Sequence, residues 1–269
     1  MKKVNSAAKT IEMTNGETLS FDKVLIATGS SARFPSFQGS NLDQIYTIRG
    51  FDDAVKVREA AAKAKKVVIV GGGFIGLEIA SNLKAEYKDN LDITIVSSSN
   101  EPFSHSLGPE VGLSMRILCE KKGVKFESSR RMSSIKGHEK VEAVILKGGQ
   151  QIEADMVVLG LGDVPNTWML DSGVTLDKDG GVNADVFMRS TSNSNIFAAG
   201  DVVSYPYFYN TDRVRVAHIS EAISQGAYAA YNMVGKMKPY CGVPFFWTRA
   251  FDSSLACVGI TKGYEEVNI

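Results

Sequence analysis

Residues Val67 to Asn82 read VVIVGGGFIGLEIASN: a β-branched run, a glycine-rich turn, then a helical pattern. Gly71, Gly73 and Gly76 fit the spacing GxGxxG. The first glycine permits a tight turn, the second lets backbone approach a pyrophosphate, and the third lets a helix pack on its strand. The helix start then offers unpaired N–H groups and about half a positive charge to the phosphates. Taken alone, the spacing also occurs in glycine-rich turns that hold nothing. Here an apolar strand precedes it, a helix follows, and another strand begins within about 30 residues, as a βαβ unit requires. Gly71, Gly72, Gly73, Phe74, Ile75 and Gly76 are therefore the expected contacts of a dinucleotide, although an aromatic at Phe74 also suits plain packing.

A second strand in such a unit usually ends in an acid, about 20 residues on, that holds the ribose 2′-hydroxyl. This chain has Ser97 there, within TIVSSSNEPF. No lysine or arginine stands close by in the sequence to receive a 2′-phosphate. NAD(H) is thus favoured over NADP(H), though weakly, because a serine serves either. Glu101 reads as a substitute acid or as a solvated loop residue.

The elements around these residues follow from periodicity. TIEMTNGETLSF is a hairpin signal around Asn15-Gly16. KVLIATGSS is a buried strand ending at Thr28-Gly29, and SARFPSFQGSN reads as a linker. Asp52 or Asp53 is placed to cap a helix through VKVREAAAKAK. After the glycine loop and its helix, from about residue 73 to 87, come a strand at 92–96 and a helix from Pro109 to just before Gly123. VKFE, KVEAVILKGGQQIEA and MVVLGLG add strands. NIFAAGD is another buried strand, and a long helix spans about 218–233. Strand, helix, strand, helix, strand with an antiparallel excursion describes a doubly wound α/β nucleotide domain.

Composition narrows the class. The 269 residues are 44% hydrophobic, and 30 basic residues balance 30 acidic ones. No overall field draws nucleic acid or an anionic membrane. Apolar runs are strand-sized, so no membrane span is expected, and MKKVNSAAKTIEM lacks the apolar core of a signal peptide. Cys119, Cys241 and Cys257 lie far apart, which excludes a cysteine-only zinc site and a local redox pair. No metal is expected. A reducing, cytoplasmic location fits, with mitochondrial association open for a eukaryotic source.

Three more motifs stand in order around the glycine loop: LIATGSSARFP, GLGDVPNTWML and NIFAAGDVVSYP. With them the chain resembles the FAD- and NAD(P)H-dependent flavoproteins of the pyridine nucleotide-disulfide oxidoreductase superfamily. VPFFWTRAFDSSLACVG and the lack of a redox cysteine pair point to the ferredoxin-reductase and apoptosis-inducing-factor branch, closest to its Rieske-containing members. The resemblance implies a complete doubly wound NAD(P)-binding domain (46–162) inserted in an incomplete FAD-binding domain (1–45 and 163–240). A stub of a C-terminal α+β interface domain (241–269) follows.

By the same resemblance, Thr28 and Gly29 mark the first crossover and are expected to contact FAD, while Gly162, an expected NAD(P) contact, marks the return with Pro165 and Asn166. Gly200 and Asp201 would meet the flavin ribityl chain, with a plain turn or capping acid as the other reading of Asp201. The helix starting near His218 would aim its positive end at the flavin, while His218 itself reads as a cap or surface residue before a catalytic base. Trp247 is either an aromatic beside the flavin or a core tryptophan. Glu78, the one catalytic candidate, lies near the nicotinamide or serves a structural partner.

The implied activity is transfer of electrons from NAD(P)H through FAD to an iron–sulfur partner, a ferredoxin or Rieske protein. The alternatives are a dinucleotide-binding or signalling module with little turnover, and a flavin NADH oxidase. The family's N-terminal GxGxxG is absent, as is any Rieske cysteine-histidine motif, and the chain stops at GYEEVNI. The expectations are therefore little or no bound FAD, a weakly yellow protein inactive toward artificial acceptors, and self-association, for example as a homodimer.

Overall fold

Strand Lys66–Val70 is apolar on both faces, as a parallel strand in mid-sheet must be. A computed structural model describes residues 1–210 and 212–261 of the chain. Residues 262–269, the end of the expected C-terminal segment, lie outside them. The chain divides into two units. One comprises Met1–Ser31, Asp163–Phe246 and Cys257–Gly259; the other comprises Ala32–Gly162, Trp247–Ala256 and the chain from Ile260.

The second unit is built on a five-stranded sheet with every pairing parallel. Its order is Ile45–Tyr46, Met156–Leu159, Lys66–Val70, Asp92–Val96, Val124–Glu127. The period of two along Lys66–Val70 sends its side chains to two cores. Val67 and Ile69 pack with Ile93, Ile95 and the helical residues Leu77, Ala80, Met115 and Cys119. Val68 and Val70 pack on the opposite face with Val96, Val144, Leu146 and Val157. Helices Phe51–Ala61, Phe74–Tyr87 and Pro109–Lys121 supply the first face. The antiparallel excursion Met132–Gly137, Val141–Leu146, Gln151–Glu153 covers the second. Burial of each such Val, Ile or Leu contributes about 1.5–3 kcal/mol, enough to fix a sheet whose strands carry no alternation.

Chain order sets where a ligand can enter. From Lys66–Val70 the chain steps outward through Asp92–Val96 and Val124–Glu127, then returns to the other side at Met156–Leu159. That reversal is a topological switch point, and the crevice beyond the strand ends there is the natural site.

Two helix starts instruct. Pro109 opens its helix with the fixed φ that a first turn wants. The first helix is capped by Gly50, not by Asp52 or Asp53. Asp53 instead reaches back from the third helical position to accept from the N–H groups of Gly50 and Arg49, both at 3.0 Å. These bonds hold its carboxyl below the usual range.

In the first unit, Lys3–Asn5, Thr10–Glu12 and Thr18–Ser20 form an antiparallel sheet, with Gly16 at φ +87° in its hairpin turn. Val24–Ile26 pairs in parallel with Ile196–Ala198. Both lie in a core with Val203, Tyr205 and Ala229, the last from helix Ile219–Met233. Strands Phe245–Ala250 and Ser253–Val258 pair with each other. Among the described residues, no helix is long and apolar enough to cross a membrane.

Candidate functional site

A cavity of about 550 Å³ opens at the switch point of the second unit, walled by Gly71, Gly72, Gly73, Gly160 and Ser97. That volume suits a small-molecule ligand. Gly71 sits at φ +125°, and a Cβ there would stand 2.1 Å from the Gly160 carbonyl. A Cβ on Gly76 would stand 2.1 Å from the Gly71 carbonyl. These two glycines are required by the turn and by the helix lying on its strand. Gly73 differs: its φ is −88°, and nothing stands within 4 Å of where its Cβ would be. Gly73 is exposed, so its backbone opens to solvent and not onto a neighbouring residue.

Helix Phe74–Tyr87 begins at Gly73 with no side-chain cap and no acid in its first turn. Its first N–H groups have no intrahelical acceptor, and the helix dipole favours an anion there. Gly71 N–H donates to Val96 O at 2.8 Å, and Phe103 N–H donates to Gly72 O at 3.1 Å, so the loop is held from both sides. Phe74 packs its ring on Phe103, 4.7 Å between centroids. Ile75 is exposed.

Ser97 is buried beside the loop, 4% exposed, and a Cβ on Gly72 would lie 2.9 Å from its Oγ. Its hydroxyl accepts from Ser99 N–H at 3.2 Å. The sequence shows no base near Ser97, but the fold brings two. Arg130 N–H donates to Ser97 O at 2.8 Å, and Ser129 N–H to Ser99 O at 3.0 Å. Both Arg130 and Arg131 line the cavity. The cause is sheet order: Val124–Glu127 lies beside Asp92–Val96, so the loops leaving both strands meet. An Arg-Arg doublet immediately past the VKFE strand was the available signal. Glu101 is neither a substitute acid on the cavity wall nor solvated. It is 5% exposed, with its Oε2 2.9 Å from Arg116 Nε in an ion pair that lacks hydrogen-bond geometry.

Glu78, on the same helix, is not on the cavity wall with the glycines. Its Oε1 accepts from Thr248 Oγ1 at 2.5 Å, a buried hydroxyl of strand Phe245–Ala250. Trp247, one residue earlier, is 48% exposed and so is no core tryptophan. Gly162, at φ +82°, accepts from Arg33 N–H at 2.9 Å.

The first unit gathers Thr28, Gly29, Gly200, Asp201 and His218. Thr28 and Gly29 are clasped to the return segment. Thr28 Oγ1 donates to Asn166 O at 2.6 Å, Asn166 Nδ2 donates to Thr28 O at 3.0 Å, and Asn166 N–H donates to Gly29 O at 2.9 Å. Gly200, at φ +80°, donates its N–H to Gln225 Oε1 at 2.9 Å. Asp201 Oδ2 accepts from Ser30 Oγ at 3.2 Å, and its carbonyl accepts from Arg215 Nη1 at 3.1 Å. Arg215, 14% exposed, also binds Asp163 at 2.7 Å and Asp179. His218 is the N-cap of helix Ile219–Met233, its Nδ1 accepting from Ser220 N–H at 3.3 Å.

Beneath that turn, Glu221 Oε2 accepts from Tyr205 at 3.0 Å, Tyr240 at 2.8 Å and Gln225 at 3.2 Å. Burial first, then the Glu221 carboxylate, pushes both phenols up from their ordinary range. Arg215, Gln225 and this cluster carry no sequence motif, because apart from the Gln225–Glu221 bond their partners lie 14 to 52 residues away. The three thiols are free, and burial pushes Cys119 up to about 12, far from a reactive thiolate.

A glycine crevice at a switch point, under an uncapped helix, is the arrangement of doubly wound α/β nucleotide-binding domains. More narrowly, the chain belongs to the pyridine nucleotide-disulphide oxidoreductase family, which residues 1–226 match. It is 34% identical over 269 residues to human apoptosis-inducing factor 3, spanning 99% of this chain and 44% of that protein. It is 29% identical over 265 residues to rubredoxin-NAD(+) reductase of Pseudomonas putida, spanning 98% of this chain and 68% of that one. A ferredoxin reductase from Rhodopseudomonas palustris shares the fold with a TM-score of 0.91 at 24% identity, spanning 98% and 64% of the two chains. The chain thus spans less than half the length of the human relative.

Proposed function

We propose that this chain binds the pyrophosphate of NAD(P)H at Gly71–Gly76 and acts as the nucleotide-oxidising part of a flavin-dependent reductase. Its electron acceptor is an iron–sulfur protein of ferredoxin or Rieske type; the rubredoxin-reductase name of the Pseudomonas relative supports a small iron protein as acceptor, not its type. The observation that carries this reading is the open space beside Gly73, at a helix start with neither cap nor acid.

Residues of the first unit fit the flavin half of FAD. The Gly200–Asp201 turn lies on helix Ile219–Met233: a Cβ at Gly200 would be 3.3 Å from Ala222 Cβ. A half-buried carboxylate acceptor, suited to ribityl hydroxyls, is thereby set beside a positive helix end. Bound FAD would supply two-electron uptake and single-electron release. Asp201 would accept from it, Arg215 and Ser30 would hold Asp201, and Thr28–Asn166 would fix the crossover. Self-association belongs to the same reading. Ile219, Ile223 and Val234 are 62–73% exposed, and their spacing puts them on one side of the helix.

Calorimetric titration of the purified chain with NADH and NADPH tests the proposal. One nucleotide per chain, in the micromolar range or tighter, is expected. Heats no larger than dilution for both would reject it.

A further inference from the structure

Beside Ser97 the cavity wall carries basic side chains and no acid. A ribose 2′-hydroxyl needs an acceptor, and the residue that usually supplies it is an acid at the end of the second strand. Among the described residues, the cavity lining holds no aspartate or glutamate. Its ionisable side chains are Arg130, Arg131 and His105, with Ser97, Ser98 and Ser99 beside them. Glu101, the one acid following the serines, is withdrawn into its pair with Arg116. Neither Arg130 nor Arg131 forms an ion pair among the described residues, while Arg116, Arg189, Arg213 and Arg215 all do. Both guanidiniums are exposed on one wall with no carboxylate partner among the described residues, and each offers an anion charge-assisted hydrogen bonds.

The backbone that carries the arginines is held in place. Arg130 N–H and Ser129 N–H both bond to the serine loop, and Lys147 N–H donates to Arg131 O at 2.8 Å. Ser97, against Gly72, ties the same loop to the pyrophosphate turn. The distance from pyrophosphate to 2′-position is thereby spanned by one connected wall.

We propose that Arg130 and Arg131, with the Ser97–Ser99 loop, form a subsite for the 2′-phosphate of NADP(H), so that this chain selects the phosphorylated nucleotide. The sequence favours NADH only because these arginines lie beyond the next helix and strand; the sheet removes that separation. The inference rests on the glycine crevice binding a pyridine nucleotide at all.

Calorimetry on the purified chain should compare NADPH with NADH, and adenosine 2′,5′-bisphosphate with 5′-AMP. The 2′-phosphate should tighten binding at least about tenfold in each pair, about 1.4 kcal/mol, and the preference should shrink with added salt. Arg130→Ala with Arg131→Ala should abolish the preference, weakening NADPH at least about tenfold more than NADH, about 1.4 kcal/mol. Both arginines are exposed, so the fold should survive. Equal affinity for the two nucleotides, or a preference that survives the double substitution, would overturn the subsite and leave the crevice standing. Failure to bind either nucleotide would overturn both.

Discussion

The two units each place a glycine turn after a buried parallel strand and beside a helix start, yet finish it in opposite ways. At Gly71–Gly76 the helix is uncapped, carries no acid in its first turn, and faces open space. At Gly200–Asp201 the helix is capped by His218, and the turn is tied to Gln225, Arg215 and Ser30. The first is a mould made of backbone, open at an uncapped helix start. The second is a polar scaffold, completed from within, that presents one carboxylate. Backbone shape therefore defines the turn in one unit, and a side-chain network defines it in the other.

Breaking the network should cost most. Arg215→Ala strips the cation from the half-buried Asp163 and a donor from the Asp201 carbonyl, and should lower stability by on the order of 3 kcal/mol. Denaturant unfolding would read this; a loss under about 1 kcal/mol would mean the network is ornamental.

Breaking the mould at its packed glycine comes next. Gly76→Ala drives a methyl onto a backbone carbonyl that no rotamer can move, and should cost about 2–3 kcal/mol. Unchanged unfolding would show that the helix can ride away from its strand.

A smaller effect separates the units by pH. Ser204 donates to Asp177, and that bond, then the Lys178 N–H, holds the Asp177 carboxyl below its usual range. A depressed carboxyl stabilises above its unfolded value, about 3.9, and loses that contribution as pH falls through the folded value. Ser204→Ala should cost about 1 kcal/mol at neutral pH, and the gap from wild type should close as pH falls through the lowered folded-state value of Asp177. A gap constant with pH would assign the loss to packing alone.

Legibility divided along the same line as the architecture. Local signals placed the long elements well: Asp92–Val96, Pro109–Lys121 and the helix after His218 begin where apolar period, Pro109 and the capping residue say. The glycine loop was readable because its logic is contained in six consecutive residues. Asp53 was read one function away, since a first-turn acid can cap from position N3 as well as from N-cap. Arg130 and Arg131 were hidden by strand order, which periodicity does not encode. Glu221, buried with Tyr205 and Tyr240, resembles any surface helix glutamate until the core around it is known. What depends on neighbours in space, not on neighbours in the chain, was what the sequence withheld.

The central claim is that the space beside Gly73 belongs to a nucleotide and not to the protein. Gly73→Val tests it, because the φ of −88° and the absence of neighbours let the protein accept the side chain. Paired calorimetry and thermal unfolding of the variant should show NADPH and NADH affinity reduced at least about tenfold, about 1.4 kcal/mol, with the unfolding midpoint of the free protein unchanged. Undiminished affinity in a folded Gly73→Val chain would contradict the account.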